Sequence, residues 1–236
     1  MSLPQKSAKK RGKSAQKPAD DSAASPRIAR RERRRARSRE EIIDAARRVL
    51  LRSGVAATTL DAIAEEVGLT KAALYYYWAS KDALLFEIMF ATVSAQSQAI
   101  HDAVAGVNNG GAALRAIIGE TVGMFAPRMD DFRLAFLHGQ IAKPGTVRFD
   151  PQQFARLRPL NDLAYAGATK LLAEDWKRAR GRARVEPRLM AFLAHVAAIG
   201  LLTFKGAVES VNDPLMYSDE QLVEALARIF EAAAAP

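Results

Sequence analysis

Apolar residues recur with a helical period along most of the chain. Ile42, Ile43, Ala46, Val49 and Leu50 share one helix face. Ser38-Arg39-Glu40-Glu41 reads as a capping box ahead of them, and Gly54 is a stop after them. This predicts a first helix from Ser38 to Gly54. Thr59 is the expected N-cap of a second, with Leu60, Ile63, Ala64 and Val67 on one side and Gly68 at its end. Thr70 heads a third, only two turns long, in which Leu74 and Trp78 pack inward while Lys71, Ala72, Tyr75 and Tyr76 face outward. Ser80 with Asp82 opens a long fourth helix through Leu84, Leu85, Ile88, Met89 and Val93 toward Val104. Asn108-Asn109-Gly110-Gly111 interrupts the pattern. Helical periods then return over about 112–126, 132–141, 151–181, 187–211 and 219–234. Asp150-Pro151-Gln152-Gln153 and Ser218-Asp219-Glu220-Gln221 are capping boxes, Tyr217 and Leu222 could form a hydrophobic staple, and Pro159 is expected to kink or split its helix. No strand pattern occurs. The expected fold is all-α: an N-terminal three-helix helix-turn-helix unit followed by a C-terminal helical bundle.

Charge adds a third segment. Residues 1–37 hold thirteen Lys and Arg against Asp20, Asp21 and Glu32, a net +10 in a chain whose total is +9. The positive balance therefore sits in an N-terminal arm, which points to a polyanion partner. Up to about residue 26 the arm is rich in Ser, Ala, Lys and Pro without apolar period, and disorder is expected there. The expected domains are the arm at 1–37, the helix-turn-helix domain at 38–83 and a helical domain at 84–236, to which the family resemblance described below assigns ligand binding and dimerisation. The absence of cysteine excludes disulfides and thiolate chemistry. Met1–Asp20 has no hydrophobic run and is not expected to be a secretory signal. The apolar run Leu189–Phe204, broken by His195, is read as too short and polar for a membrane span. A soluble cytoplasmic protein without membrane association is expected.

The short third helix carries the most specific chemistry. Ala72 and Ala73 permit close approach to base edges, while Thr59, Thr70, Lys71, Tyr75, Tyr76 and Lys81 supply hydroxyl and ammonium donors for phosphates. Three consecutive tyrosines, read as exposed, are costly to leave uncovered in water. Arg33, Arg34, Arg35 and Arg37, nearest the first helix, are the arm's expected DNA contacts. Such arms reach along phosphates or into the minor groove.

Residues Ser38 to about Leu85 resemble the DNA-binding domain of TetR-family transcriptional regulators. The resemblance lies in Thr58-Thr59-Leu60, Ile63-Ala64, Val67-Gly68-Leu69-Thr70-Lys71, Leu74-Tyr75, Tyr77-Trp78, Lys81 and Leu84. Trp78 stands where Phe is more usual, and Ala73 where a small hydroxyl or Gly is common. The resemblance implies double-stranded DNA as partner, a homodimer formed by the last two helices, and a small-molecule effector in the C-terminal domain. It implies release from a palindromic operator when that effector displaces the fourth helix. Met124, Phe125, Met129, Phe132, Phe136, Phe154, Tyr165 and Trp176 are concentrated where the family places its pocket, with His138, Gln140 or Asn161 as polar handles. As a set they suggest a small apolar effector. Lys177, Arg178, Arg180, Arg182 and Arg184 read as a helix end and a solvated loop.

No catalytic motif appears, and the three histidines lack metal spacing, so neither an enzyme nor a metal or cofactor is expected. The expected function is a ligand-responsive repressor. An activator of the same fold and a non-specific, chromosome-compacting DNA binder are the alternatives.

Overall fold

A computed structural model describes residues 26–137, 150–179, 185–210 and 217–235. The chain divides into two compact units, 1–40 and 41–236. Among the described residues all regular structure is helical: α1 (Pro26–Ala57), α2 (Leu60–Val67), α3 (Lys71–Tyr77), α4 (Lys81–Ala105), α5 (Gly110–Phe125), α6 (Met129–Phe132), α7 (Pro151–Arg178), α8 (Pro187–Ser210) and α9 (Asp219–Ala234). A 3-10 turn (Ala126–Arg128) precedes α6 and a π-helical turn (Arg133–Leu137) follows it.

The first helix begins at Pro26, twelve residues before the expected cap at Ser38. Arg, Ala and Glu dominate the segment before Ser38, all good helix formers, and no Gly or Pro interrupts it. A capping-box sequence without a preceding break is equally good helix interior. The far end matches expectation. Gly54 takes φ 73° and ψ 165°, which breaks the helical path. The Thr59 side chain accepts from the Ala62 amide at 3.1 Å, and Thr70 accepts from Ala73 at 3.2 Å. Gly68, at φ 72°, is the left-handed residue that lets the chain leave α2 and start α3 after only two residues.

Two buried clusters lie within 41–236. One joins Ile42, Ala46, Val49 and Leu50 of α1 to Leu60, Ile63, Leu74 and Trp78, and is closed by Leu84, Leu85 and Ile88 of α4. The other fills the bundle of α4, α5, α7, α8 and α9 around Ile117, Ile118, Phe125, Phe132, Leu172 and Leu202. The long α4 thus belongs to both cores. Gly110 opens α5 where its backbone meets α7: a Cβ there would come within 2.6 Å of the Leu172 side chain. The Asp175 carboxylate accepts the Gly110 amide at 2.6 Å and anchors that end of the bundle. One turn further along α5, Arg115 holds Glu224 and Glu231 of α9, a fork that fixes α9 in place.

Three other expectations change. Pro159 neither splits nor ends α7, which runs unbroken from Pro151 to Arg178; the Ala155 carbonyl that loses its donor belongs to an exposed residue, where water can replace it. The helix expected over 132–141 begins at Met129 and has changed to a π turn by Arg133. Its last part, and the expected helix ends at 181 and 211, lie outside the described residues. Finally, α4 and α8 are long and apolar enough by length and composition to cross a membrane. In α8 four of those apolar residues, Ala191, Ala194, Ala198 and Leu202, are fully buried in the bundle, while Leu189, Phe192, Leu193, Val196 and Phe204 are exposed.

Candidate functional site

The turn between α2 and α3 sets out one small, exposed surface. Leu74 and Trp78 sit in the core and anchor α3 from below. Lys71, Ala72, Tyr75 and Tyr76 face solvent, Ala73 is half-buried, and Tyr75 and Tyr76 are 46% and 62% exposed. Tyr77 is not the third exposed tyrosine that the run suggests. It is half-buried against the core, set edge-on to Tyr76 at 5.4 Å and tilted against Trp78 at 5.8 Å. Two large apolar rings with hydroxyl tips thus stay in water on the last turn of a short helix.

The basic and hydroxyl groups around this surface already have protein partners. Lys71 Nζ lies 2.8 Å from Asp61 Oδ2 and 5.9 Å from the Tyr75 ring. The Asp61 carboxylate raises the Lys71 pKa above its ordinary value, so its positive charge is secure. Lys81 Nζ donates to the Val55 carbonyl at 2.9 Å and closes the loose end of α1 after Gly54. Thr59 and Thr70 spend their hydroxyl oxygens on caps yet remain at the exposed helix starts. Arg48 and Arg52 of α1 converge on Glu66 of α2, each at 3.0 Å, and hold the two helices in register. Arg37 is exposed in the described backbone. The side chains of Arg33, Arg34 and Arg35 lie outside the described residues.

A cavity of about 260 Å³ opens in the flank of the bundle, where Phe192 and Val196 are 47% and 44% exposed. Val93, Gln96 and Ser97 of α4 form one wall, and Phe136 of the π turn closes an end. Asn161 and Tyr165 come from α7; Phe192, His195, Val196 and Ile199 come from α8. The polar centre of this mostly apolar space is a hydrogen bond of 3.0 Å between the Tyr165 hydroxyl and His195 Nδ1. Burial pushes Tyr165 up to about 12 and His195 down to about 4, so both are neutral at physiological pH.

Of the residues expected to form a pocket, Phe136, Tyr165 and Asn161 line this one. Phe125 and Phe132 do not; they stack with Phe136 in a buried cluster, at 5.5–5.8 Å between rings. Met124 and Met129 pack against the same core. Trp176 lies at the far end of α7, where its indole N–H donates to the Ala234 carbonyl at 2.9 Å. That bond ties the last turn of α9 down, which is a structural task. Phe154 is exposed near the start of α7. His138 and Gln140 lie outside the described residues, as do Arg180, Arg182 and Arg184. Gln96, Ser97 and His195 are additions that sequence reasoning misses. A histidine interrupting the apolar run of α8 is the available signal, since a polar residue on a buried helix needs a partner.

Residues 42–88 match the family model described as bacterial regulatory proteins, tetR family. That span runs from the first core residue of α1 to Ile88 of α4 and contains the whole smaller core. Over residues 42–88 the chain carries a TetR-family helix-turn-helix domain. Its solved neighbours share the fold along the rest of the chain. A transcriptional regulator of the TetR/AcrR family from Thermobifida fusca YX-ER1 is 25% identical, with a TM-score of 0.61 over 82% of this chain and 96% of the other. A regulatory protein of the tetR family from Rhodococcus RHA1 is 20% identical, with a TM-score of 0.61 over 83% and 94%. The regulator FadR from Bacillus subtilis, solved in complex with stearoyl-CoA, is 14% identical, with a TM-score of 0.61 over 83% and 97%. No curated protein matches the chain at a significant level. By that match α2 and α3 form the helix-turn-helix, and the described helices that follow, α4 to α9, form a helical C-terminal part like that of the TetR-family neighbours.

Proposed function

We propose that the protein is a ligand-responsive repressor that binds a palindromic operator as a homodimer and is released by a small molecule in the α4–α7–α8 cavity. The observation that carries this reading is the double membership of α4. Its first turns close the helix-turn-helix core through Leu84, Leu85 and Ile88, and its middle lines the cavity through Val93, Gln96 and Ser97. A second connection runs alongside. Arg47 of α1 reaches Asp131 of α6 at 3.1 Å and Thr92 of α4 at 3.4 Å, while Leu134 of the π turn packs against the smaller core. Any occupant that prefers a different setting of α4 and Phe136 shifts the helix-turn-helix with them. A swing from mostly bound to mostly released needs roughly 5 kcal/mol of differential affinity between the two settings.

On DNA, Thr59, Thr70, Tyr75, Tyr76 and Lys81 serve the phosphates, and Lys71, Ala72 and Ala73 meet base edges and the flanking backbone. Arg33, Arg34, Arg35 and Arg37 add sequence-independent attraction. Lys71 must exchange Asp61 for DNA, a small cost because the pair is exposed. Lys71→Ala is expected to weaken operator binding roughly tenfold, with the dimer intact, and to lower the salt slope by about one for each phosphate that the ammonium no longer neutralises. Fluorescence anisotropy on the DNA flanking the gene, repeated at several salt concentrations, measures both. Unchanged affinity would remove the role given to α3. Deleting residues 1–25 is expected to flatten the salt slope while operator preference over random DNA survives. Loss of that preference at moderate salt in the intact protein would mark a non-specific binder instead.

A further inference from the structure

No charged group lines the cavity among the described residues. Its walls are Val, Ile and Phe, with the amides of Gln96 and Asn161, the Ser97 hydroxyl and the Tyr165–His195 pair as the polar groups. Gln96 is already committed, its amide donating to Thr121 at 3.4 Å. Arg188 of α8 stands close enough to act on the Tyr165 hydroxyl, but its guanidinium is paired with Asp162 at 2.5 Å. An anion placed in this space would lose its hydration and meet no unpaired cation among the described lining residues, at a cost of several kcal/mol.

The pair itself has capacity to spare. If the Tyr165 hydroxyl donates to Nδ1, the imidazole proton resides on Nε2 and remains to be given. If Nδ1 donates instead, the hydroxyl keeps its own proton. In either tautomer one polar hydrogen is left over, and no described residue accepts it. Size narrows the occupant further. At about 260 Å³ the space lies just under the ~300–1,000 Å³ typical of pockets for drug-sized molecules. It suits a single ring or a short branched chain.

We infer that the effector is a compact, uncharged, lipophilic molecule carrying one hydroxyl or carbonyl group, held by hydrogen bonding to the Tyr165–His195 pair. This rests on the cavity being the effector site proposed above. It separates the protein from the structural neighbour solved with stearoyl-CoA, whose phosphates would meet no cation among the described lining residues and whose long chain exceeds the space.

The test is a matched set of probes on the full-length protein: para-propylphenol, propylbenzene, para-propylbenzoate and stearoyl-CoA. Calorimetry reads binding, and anisotropy on the DNA flanking the gene reads operator release. The phenol is expected to bind, and propylbenzene to bind roughly tenfold more weakly for want of one hydrogen bond. The benzoate and stearoyl-CoA are expected to be weaker than the phenol by about a hundredfold or more. Tyr165→Phe is expected to lower phenol affinity roughly tenfold and leave propylbenzene unchanged. That split separates a missing hydrogen bond from a damaged bundle. Benzoate or acyl-CoA binding as tightly as the phenol, or no binding by any probe, overturns the inference. A phenol that binds as expected but leaves the operator complex intact upholds the ligand class and removes the effector reading instead.

Discussion

A Leu193→Glu/Ile229→Glu variant is expected to sediment as a monomer and to bind its operator at least about 100-fold more weakly than the parent. The reason is the outer face of the last two helices. On α8, Leu189, Phe192, Leu193, Val196 and Phe204 are exposed although their inner neighbours are fully buried, and Ile229 of α9 is 64% exposed. Leu189, Leu193, Val196, Gly200 and Phe204 follow one another at spacings of three and four, a continuous stripe along one side of the helix. A Cβ at Gly200 would meet nothing within 4 Å, so the stripe is open for a second helix to approach. Contiguous apolar surface of this kind marks an interface, and two glutamates in it would be buried without partners. Losing the dimer matters because α3 has only seven residues and can read little by itself. Two copies one helical turn of DNA apart, about 34 Å, make the second binding event intramolecular. Neither substituted residue lines the cavity or belongs to a buried cluster, so the monomer should keep its thermal stability. Light scattering with operator anisotropy checks both halves of the expectation. A variant that stays dimeric would move the interface elsewhere.

The helix-turn-helix is legible in the sequence because everything that defines it is local. Thr59, Gly68 and Thr70 each act on backbone within a few residues of themselves, and Leu74 and Trp78 are one turn apart. Sequence spacing alone fixes such relations. The helix start at Pro26 is not legible, since Ser38-Arg39-Glu40-Glu41 fits a cap and a helix interior equally well. Tyr77 misleads for a similar reason: in a run of three tyrosines, only the position of the next buried residue decides which ring turns inward. The cavity is the opposite case. Its walls come from α4, the π turn, α7 and α8, segments brought together by tertiary packing. Aromatic and Met content points to the region of the cavity but does not separate Phe136, which lines it, from Phe125 and Phe132, which pack against Phe136 in the buried core. Trp176 has the chemistry of a binding residue and is instead a tether, because the end of α9 happens to present it a carbonyl. His195 escapes sequence reasoning because a lone histidine in an apolar helix declares itself only when its partner, Tyr165, is known to face it.

Filling the cavity from within should imitate an effector and show how its occupancy reaches DNA. Ser97 is buried on the α4 wall, and Ser97→Leu places a branched side chain in the space beside Phe136 and His195. Operator affinity is expected to fall by up to about 30-fold, the upper end of what a coupling of ~2 kcal/mol allows. Two mechanical routes are available. One is α4 itself, which runs from Ser97 to Leu84 without interruption. The other passes from Phe136 through a segment built of 3-10, α and π turns, a shape that yields more easily than a regular helix. It ends in the Asp131–Arg47 ion pair and in Leu134 against the smaller core. Arg47 is poised rather than saturated, for its buried Nε has no hydrogen-bond partner among the described residues. Asp131→Ala removes the second route and leaves the first. If α6 carries a share of the signal, the Ser97→Leu penalty should shrink several-fold in the Asp131→Ala background, a coupling of about 1 kcal/mol in a double-mutant cycle. Strict additivity of the two substitutions would assign the whole of the transmission to α4, and Phe136 would then be a wall of the cavity without being a lever.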